Sequence, residues 1–128
     1  MSHDQYAAEA KERWGNTDAY KESQSRMATY SEEDIKSAQL AMQNATNQML
    51  AAKQAGLSPN SVEAIAGAEA HRLSIHDWWY PCNYEMHTNL ALMYIADPRF
   101  TEYYESQEVG LAQYVHDAIV ANAQSHAE

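Results

Sequence analysis

Between Ser31 and Gly56 runs one unbroken apolar stripe, and it constrains the fold more than any other feature of the chain. Ile35, Ala38, Met42, Ala45, Met49 and Ala52 follow one another at steps of three and four residues. They therefore share one side of an α-helix, and the opposite side is polar. Ser31 with Asp34 resembles a capping box at the start, with Asp in place of the usual Glu. Gly56 supplies a stop. Such a helix needs partners for its stripe, and composition says that they are helices too. Gly and Pro number four and three. Ala, Glu, Gln, Met and Leu, all good helix formers, are plentiful, while the Val, Ile and Phe that build strands are few. The expectation is an all-α protein, with the Met and Ala stripe taken as core. A length of 128 residues suits one domain with one modest core.

Turn signals divide the rest. Residues 4–13 predict a short helix that stops near Gly15-Asn16, and Thr17 is placed to cap a second over 18–29. Both are polar and close to the length of about 12 residues at which isolated helices are marginal. After the Leu57-Ser58-Pro59 turn, Asn60 with Glu63 forms a second capping-box signature, opening a helix to about Trp79. Pro81 ends it. Further helices are predicted over about 83–96, from Asp97-Pro98 to about Tyr104, and over about 107–124. The expected organisation is about five main helices over 31–128, preceded by two weak helices within 1–30 that need something to dock against.

Charge narrows the partners. The formal net charge is −10. Residues 1–30 hold four basic and five acidic side chains, while the remainder sets Lys36, Lys53, Arg72 and Arg99 against thirteen carboxylates, eighteen less those five. An acidic body repels phosphate backbones, so direct nucleic-acid contact is not expected, whereas a neutral or cationic ligand is accepted more easily. The same charge also serves as a solvated surface that aids solubility. The single cysteine, Cys82, excludes an intramolecular disulfide. With neither a signal-peptide pattern nor an apolar run of about 20 residues, the expected compartment is the cytoplasm, away from membranes.

The unusual chemistry lies in residues 71–104, which hold five Tyr, one Phe, three His, Cys82 and the adjacent pair Trp78-Trp79. Neighbours on a helix point about 100° apart, so both indoles are buried only if the helix is enclosed or lines a cleft. An aromatic cleft with a few polar groups suits a bulky organic ligand; a tryptophan-anchored core is the alternative. On the following helix, Glu85, Met86, Asn89 and Met93 lie on one side, which Cys82 joins if helicity reaches back to it. Tyr84, His87, Ala91, Tyr94 and Ile95 lie on the other. One side is expected to pack inward and the other to line the cleft.

The run Tyr84-Glu85-Met86-His87-Thr88, then Met93-Tyr94 and Asp97-Pro98-Arg99-Phe100-Thr101, resembles the TipA-type antibiotic-recognition domain of MerR-family transcriptional regulators. Glu12-Arg13-Trp14-Gly15-Asn16-Thr17-Asp18-Ala19-Tyr20 continues the resemblance, as do Gly110-Leu111-Ala112 and Asp117-Ala118-Ile119. It implies an all-α, globin-like fold, an orthogonal array of about five main helices over 31–128 with a deep cleft for thiopeptides such as thiostrepton, and an N-terminal helical lid, residues 1–30, that folds over the drug. It also implies a DNA-binding domain in a full-length form. In the thiopeptide-capturing member, a second cysteine stands seven residues after the first and adds to a dehydroalanine of the drug. Here that position is Asn89, an amide, so the resemblance implies reversible binding. The expected ligand-binding residues are Trp14, Trp78, Trp79, Cys82, Glu85, Met86, Asn89 and Met93, with no catalytic residue, metal or cofactor.

Three rival readings stand beside this one. Cys82 with His87 and Glu85 suggests a nucleophile and base, but a five-residue separation sends Cys82 and His87 about 140° apart on a helix. His71, His76, Cys82 and His87 suggest a metal or haem site, but Glu69-x-His71 and Glu85-x-His87 lack the Glu-x-x-His spacing of helical di-iron sites. Buried structural histidines are the simpler expectation. The 35–52 stripe suggests a plain helical interaction module, but it is short for a coiled coil.

Overall fold

The computed structural model describes residues 18–126. All regular structure among them is helical, as expected: α1 Asp18–Met27, α2 Glu32–Gln54, α3 Val62–Trp78, α4 Tyr84–Ala96, α5 Pro98–Glu105 and α6 Leu111–Ser125. The helix expected over 4–13, and Trp14 with it, lie outside the described residues.

Local chemistry sets most boundaries. Ser31 caps α2 through a complete capping box, its hydroxyl accepting from the Asp34 N–H at 3.1 Å while Asp34 accepts from the Ser31 N–H at 3.0 Å. Gly56, at φ 78, carries the chain out of α2. Asn83 caps α4, and Asp97 closes α4 and caps α5, with Pro98 next. Two starts differ from expectation. Ser61, not Asn60, caps α3, because the Ser58 hydroxyl engages both the backbone N–H and the side chain of Asn60 in the turn. The last helix begins at Leu111 rather than about 107, because Gly110 turns left-handed at φ 86. The Glu105 carboxylate supplies the cap that Gly110 lacks, accepting from the Gly110 and Ala112 N–H groups at 2.9 Å each.

Helix α6 is central, packing against α2, α3, α4 and α5. Its Leu111, Val115, Ala118 and Ile119 are fully buried. Burial of each larger aliphatic side chain among them contributes about 1.5–3 kcal/mol. The α2 stripe packs inward as expected, with Ala38, Ala45, Met49 and Ala52 buried. The α2–α3 approach requires Gly67: a Cβ there would stand 2.8 Å from Met49 Cγ and 3.2 Å from its backbone N. No helix among the described residues is long and apolar enough to cross a membrane.

Candidate functional site

Helix α4 has two unlike sides. His87, Ala91 and Tyr94 are buried on the inner side. Met86 and Met93 are half-buried on the outer side, and Glu85 and Asn89 are exposed there. Helicity does not reach back to Cys82. The Asn83 side chain takes the Met86 N–H at 2.8 Å and fixes the first turn at Tyr84. Cys82 is consequently not on the face that Asn89 occupies; it is 0% exposed, in the α3–α4 loop. Its N–H donates to His76 Nδ1 at 3.0 Å, and its carbonyl accepts from Arg72 Nη1 at 2.8 Å. Burial pushes the thiol up to about 11, against an opposing pull from the Arg72 charge. Almost no thiolate is present at neutral pH, so Cys82 is a poor nucleophile.

Trp78 ends α3 and Trp79 is its C-cap; both are half-buried. Their partner comes from the segment before α2. The Tyr30 ring meets Trp78 edge-on at 5.7 Å and Trp79 at 6.3 Å, and its hydroxyl donates to the Trp78 carbonyl. One turn earlier, Arg26 Nη1 donates to the His76 carbonyl at 2.8 Å. These carbonyls belong to the end of α3, where acceptors lack helical partners and a cation meets the negative end of the dipole.

Helices α3 and α4 scarcely approach one another through their backbones; side chains span the space. On the inner level, His71 and His87 stack at 5.1 Å with Nδ1 and Nε2 2.9 Å apart. His71 Nε2 faces the Tyr104 hydroxyl at 3.3 Å. Of the two facing imidazole nitrogens one carries the hydrogen and the other accepts, so at least the accepting ring is neutral. Burial lowers His71 to about 4; burial, then the neighbouring His71, lowers His87 to about 3. On the outer level, Arg72 forks onto Glu69 at 3.0 and 2.7 Å and lies 4.4 Å from the Tyr84 ring centre. That fork holds the Glu69 carboxyl down at about 2, with help from Asn122 of α6, which donates to it at 3.0 Å. Tyr84 in turn stacks on His126 at 4.4 Å.

Of the sequence-derived candidates, then, the structure seats Trp78 and Trp79 with Tyr30, turns Cys82 inward, and spreads Glu85, Met86, Asn89 and Met93 along the outer side of α4. The histidines are structural: His71 and His87 pair in the interior, and His76 accepts from the Cys82 backbone. No group of three or more His, Cys, Asp or Glu among the described residues is placed to hold a metal ion.

The model of the TipAS antibiotic-recognition domain matches residues 6–122. The chain belongs to the TipAS antibiotic-recognition family. It is 45% identical over 123 residues to the HTH-type transcriptional activator TipA of Streptomyces coelicolor, and equally to that of Streptomyces lividans. The alignment takes in 96% of this chain and 49% of each activator, so the chain spans about half the length of these relatives. Among solved structures, TipAS from Streptomyces lividans in complex with nosiheptide is 43% identical and superposes with a TM-score of 0.91, over 100% of this chain and 90% of that one. An antibiotic-binding domain of a TipA-class multidrug resistance transcriptional regulator is 41% identical with a TM-score of 0.65, over 71% of this chain and 97% of that one.

Sequence reasoning gave no site role to Tyr30, Arg26, Glu69, Arg72 or Asn122. Tyr30 carried a signal: it stands immediately before the Ser31 cap, where an apolar residue often steers the incoming chain. Glu69 and Arg72, three apart on one helix, carried a weaker one.

Proposed function

We propose that this TipAS-family chain binds thiopeptide-class antibiotics reversibly and non-enzymatically, as the drug-recognition half of a transcriptional regulator or as a drug trap. The observation that carries this reading is the TM-score of 0.91 with a nosiheptide-bound relative over the whole of this chain. The indoles of Trp78 and Trp79 and the Met86, Asn89 and Met93 side of α4 offer apolar area with scattered polar groups, the lining such ligands need. Residues 1–30, with Trp14, act as a lid over the helices that begin at residue 31. In support, the described part of that lid engages the end of α3 beside both tryptophans, through Arg26 and Tyr30. In a longer form, a DNA-binding half is the partner that responds to the drug.

Reversibility follows from chemistry. Asn89 has no thiol, and Cys82 is buried with its thiol pushed up to about 11. Titration with nosiheptide in a thermal-shift assay tests the binding. Ligand at a hundred times its Kd stabilises the native state by about 2.7 kcal/mol, so the melting temperature is expected to rise. An unchanged melting temperature with nosiheptide and with thiostrepton removes the reading. Mass spectrometry after denaturing the complex is expected to return unmodified protein, and a drug adduct overturns reversibility.

A further inference from the structure

The two parts of the proposed binding surface ride on different helices, Trp78 and Trp79 on the end of α3 and the methionines on α4. Both helices pack on α6, and between α3 and α4 themselves few backbone positions come close, so side chains span the remaining gap. Interaxial placement is set by whatever side chains lie between two helices. Here those are two stacked pairs at different depths: His71 on His87 inside, and the Arg72 guanidinium on Tyr84 outside. Arg72 does more than stack. Its Nη1 holds the Cys82 carbonyl, and its fork on Glu69 is anchored to α6 by Asn122. One planar group thus ties α3, the α3–α4 loop, the first residue of α4 and, through Glu69, α6.

We infer that Arg72, backed by the His71–His87 stack, is the positioning residue for ligand recognition, fixing the outer side of α4 against the tryptophan end of α3. It touches no ligand itself. The recognition half of this inference rests on the thiopeptide-binding reading; the spacing half does not. Arginine is needed for geometric reasons. A lysine keeps the charge beside Glu69 but has neither a fork for two carboxylate oxygens nor a flat face for Tyr84. Nor can one ammonium reach Glu69 and the Cys82 carbonyl in the fixed directions that a guanidinium offers.

Two readouts separate positioning from mere stability. Leu73 on α3 and Leu92 on α4 are exposed at 38% and 51% and accept spin labels as Leu73→Cys and Leu92→Cys in a Cys82→Ala background. The distance between the labels, measured by pulsed electron resonance without drug, is expected to shift or broaden in Arg72→Gln and in Arg72→Lys. In unlabelled protein the same two variants are expected to weaken nosiheptide binding at least about fivefold, the lower end of typical coupling between linked sites. Arg72→Lys, which retains the charge pair, serves where Arg72→Gln does not fold. A folded variant with the parental label distance overturns the inference, as does one with a changed distance and parental affinity. If the parent binds no thiopeptide, the proposed function fails on that measurement alone, while the label distance still decides whether Arg72 sets the spacing.

Discussion

Helix α1 and the body formed by α2–α6 are joined to the protein by opposite means. None of the described side chains of α1 is buried, though Tyr20, Ser23, Arg26 and Met27 are half-buried, and Arg26, with Tyr30 just beyond the helix end, bonds to the end of α3. The body is closed by interdigitated Ala, Leu, Ile and Val, by one obligatory glycine, and by a polar interior of imidazoles and phenols. Helix α1 thus contributes half-buried and exposed side chains, whereas the body is held by a closed core, and segments without buried side chains open at lower free energy than the core.

Acid gives the largest separation between the two regions. His71 and His87 are held neutral, so the unfolded chain takes up protons more readily than the native one. Their contribution to stability is complete above pH 6.5 and is lost as the pH falls toward about 4 and about 3. The loss is on the order of a few kcal/mol. Denaturant titrations at stepped pH are expected to show it for the body, and a His71→Leu/His87→Leu variant is expected to flatten that fall. A flat profile in the parent breaks the account of the interior.

Gly67→Val comes next. The added atoms meet Met49 inside normal contact distance, at a cost of about 2 kcal/mol for overpacking a helix interface. Unfolding midpoints check this, and α1 is expected to lose protection along with the body. Tyr30→Phe has a smaller effect, about 1 kcal/mol for one hydrogen bond. It is expected to act on α1 alone: amide exchange over 18–30 accelerates, and the unfolding midpoint of the body stays put. If the body weakens equally, the comparison fails. Arg26→Ala is the mildest, a few tenths of a kcal/mol to about 1 kcal/mol, as for other cations at helix C-termini. It is read from the same exchange experiment, and high salt is expected to imitate it.

Local signals were legible in the sequence because they act locally. The α2 stripe, the Ser31–Asp34 box, Gly56 and Asp97-Pro98 each work within a turn of the residue that carries them, and all appear in the structure. The inward side of α4 was legible for the same reason. The misplaced start of α6 shows where this ends, since its cap is a carboxylate donated by the preceding helix. Whether Cys82 would join the Asn89 side depended on where helicity begins, and the Asn83 cap starts the helix after Cys82. Glu69, Arg72, Asn122 and Tyr84 meet only in the folded chain, with Asn122 53 residues from Glu69. The family resemblance was legible because it is carried by runs such as YEMHT and DPRFT.

Asp97 belongs to two helices at once, closing α4 and opening α5 with no residue to spare. Thr101 doubles the joint, its hydroxyl donating to the Tyr94 and Asp97 carbonyls at 2.7 and 3.1 Å. The pair thus behaves as a bent rod with a welded elbow rather than as two segments on a hinge. Tilting the methionine-bearing arm swings the other arm with it, and Phe100 and Tyr104 are dragged along. In a pulling experiment the two arms are expected to let go in a single step.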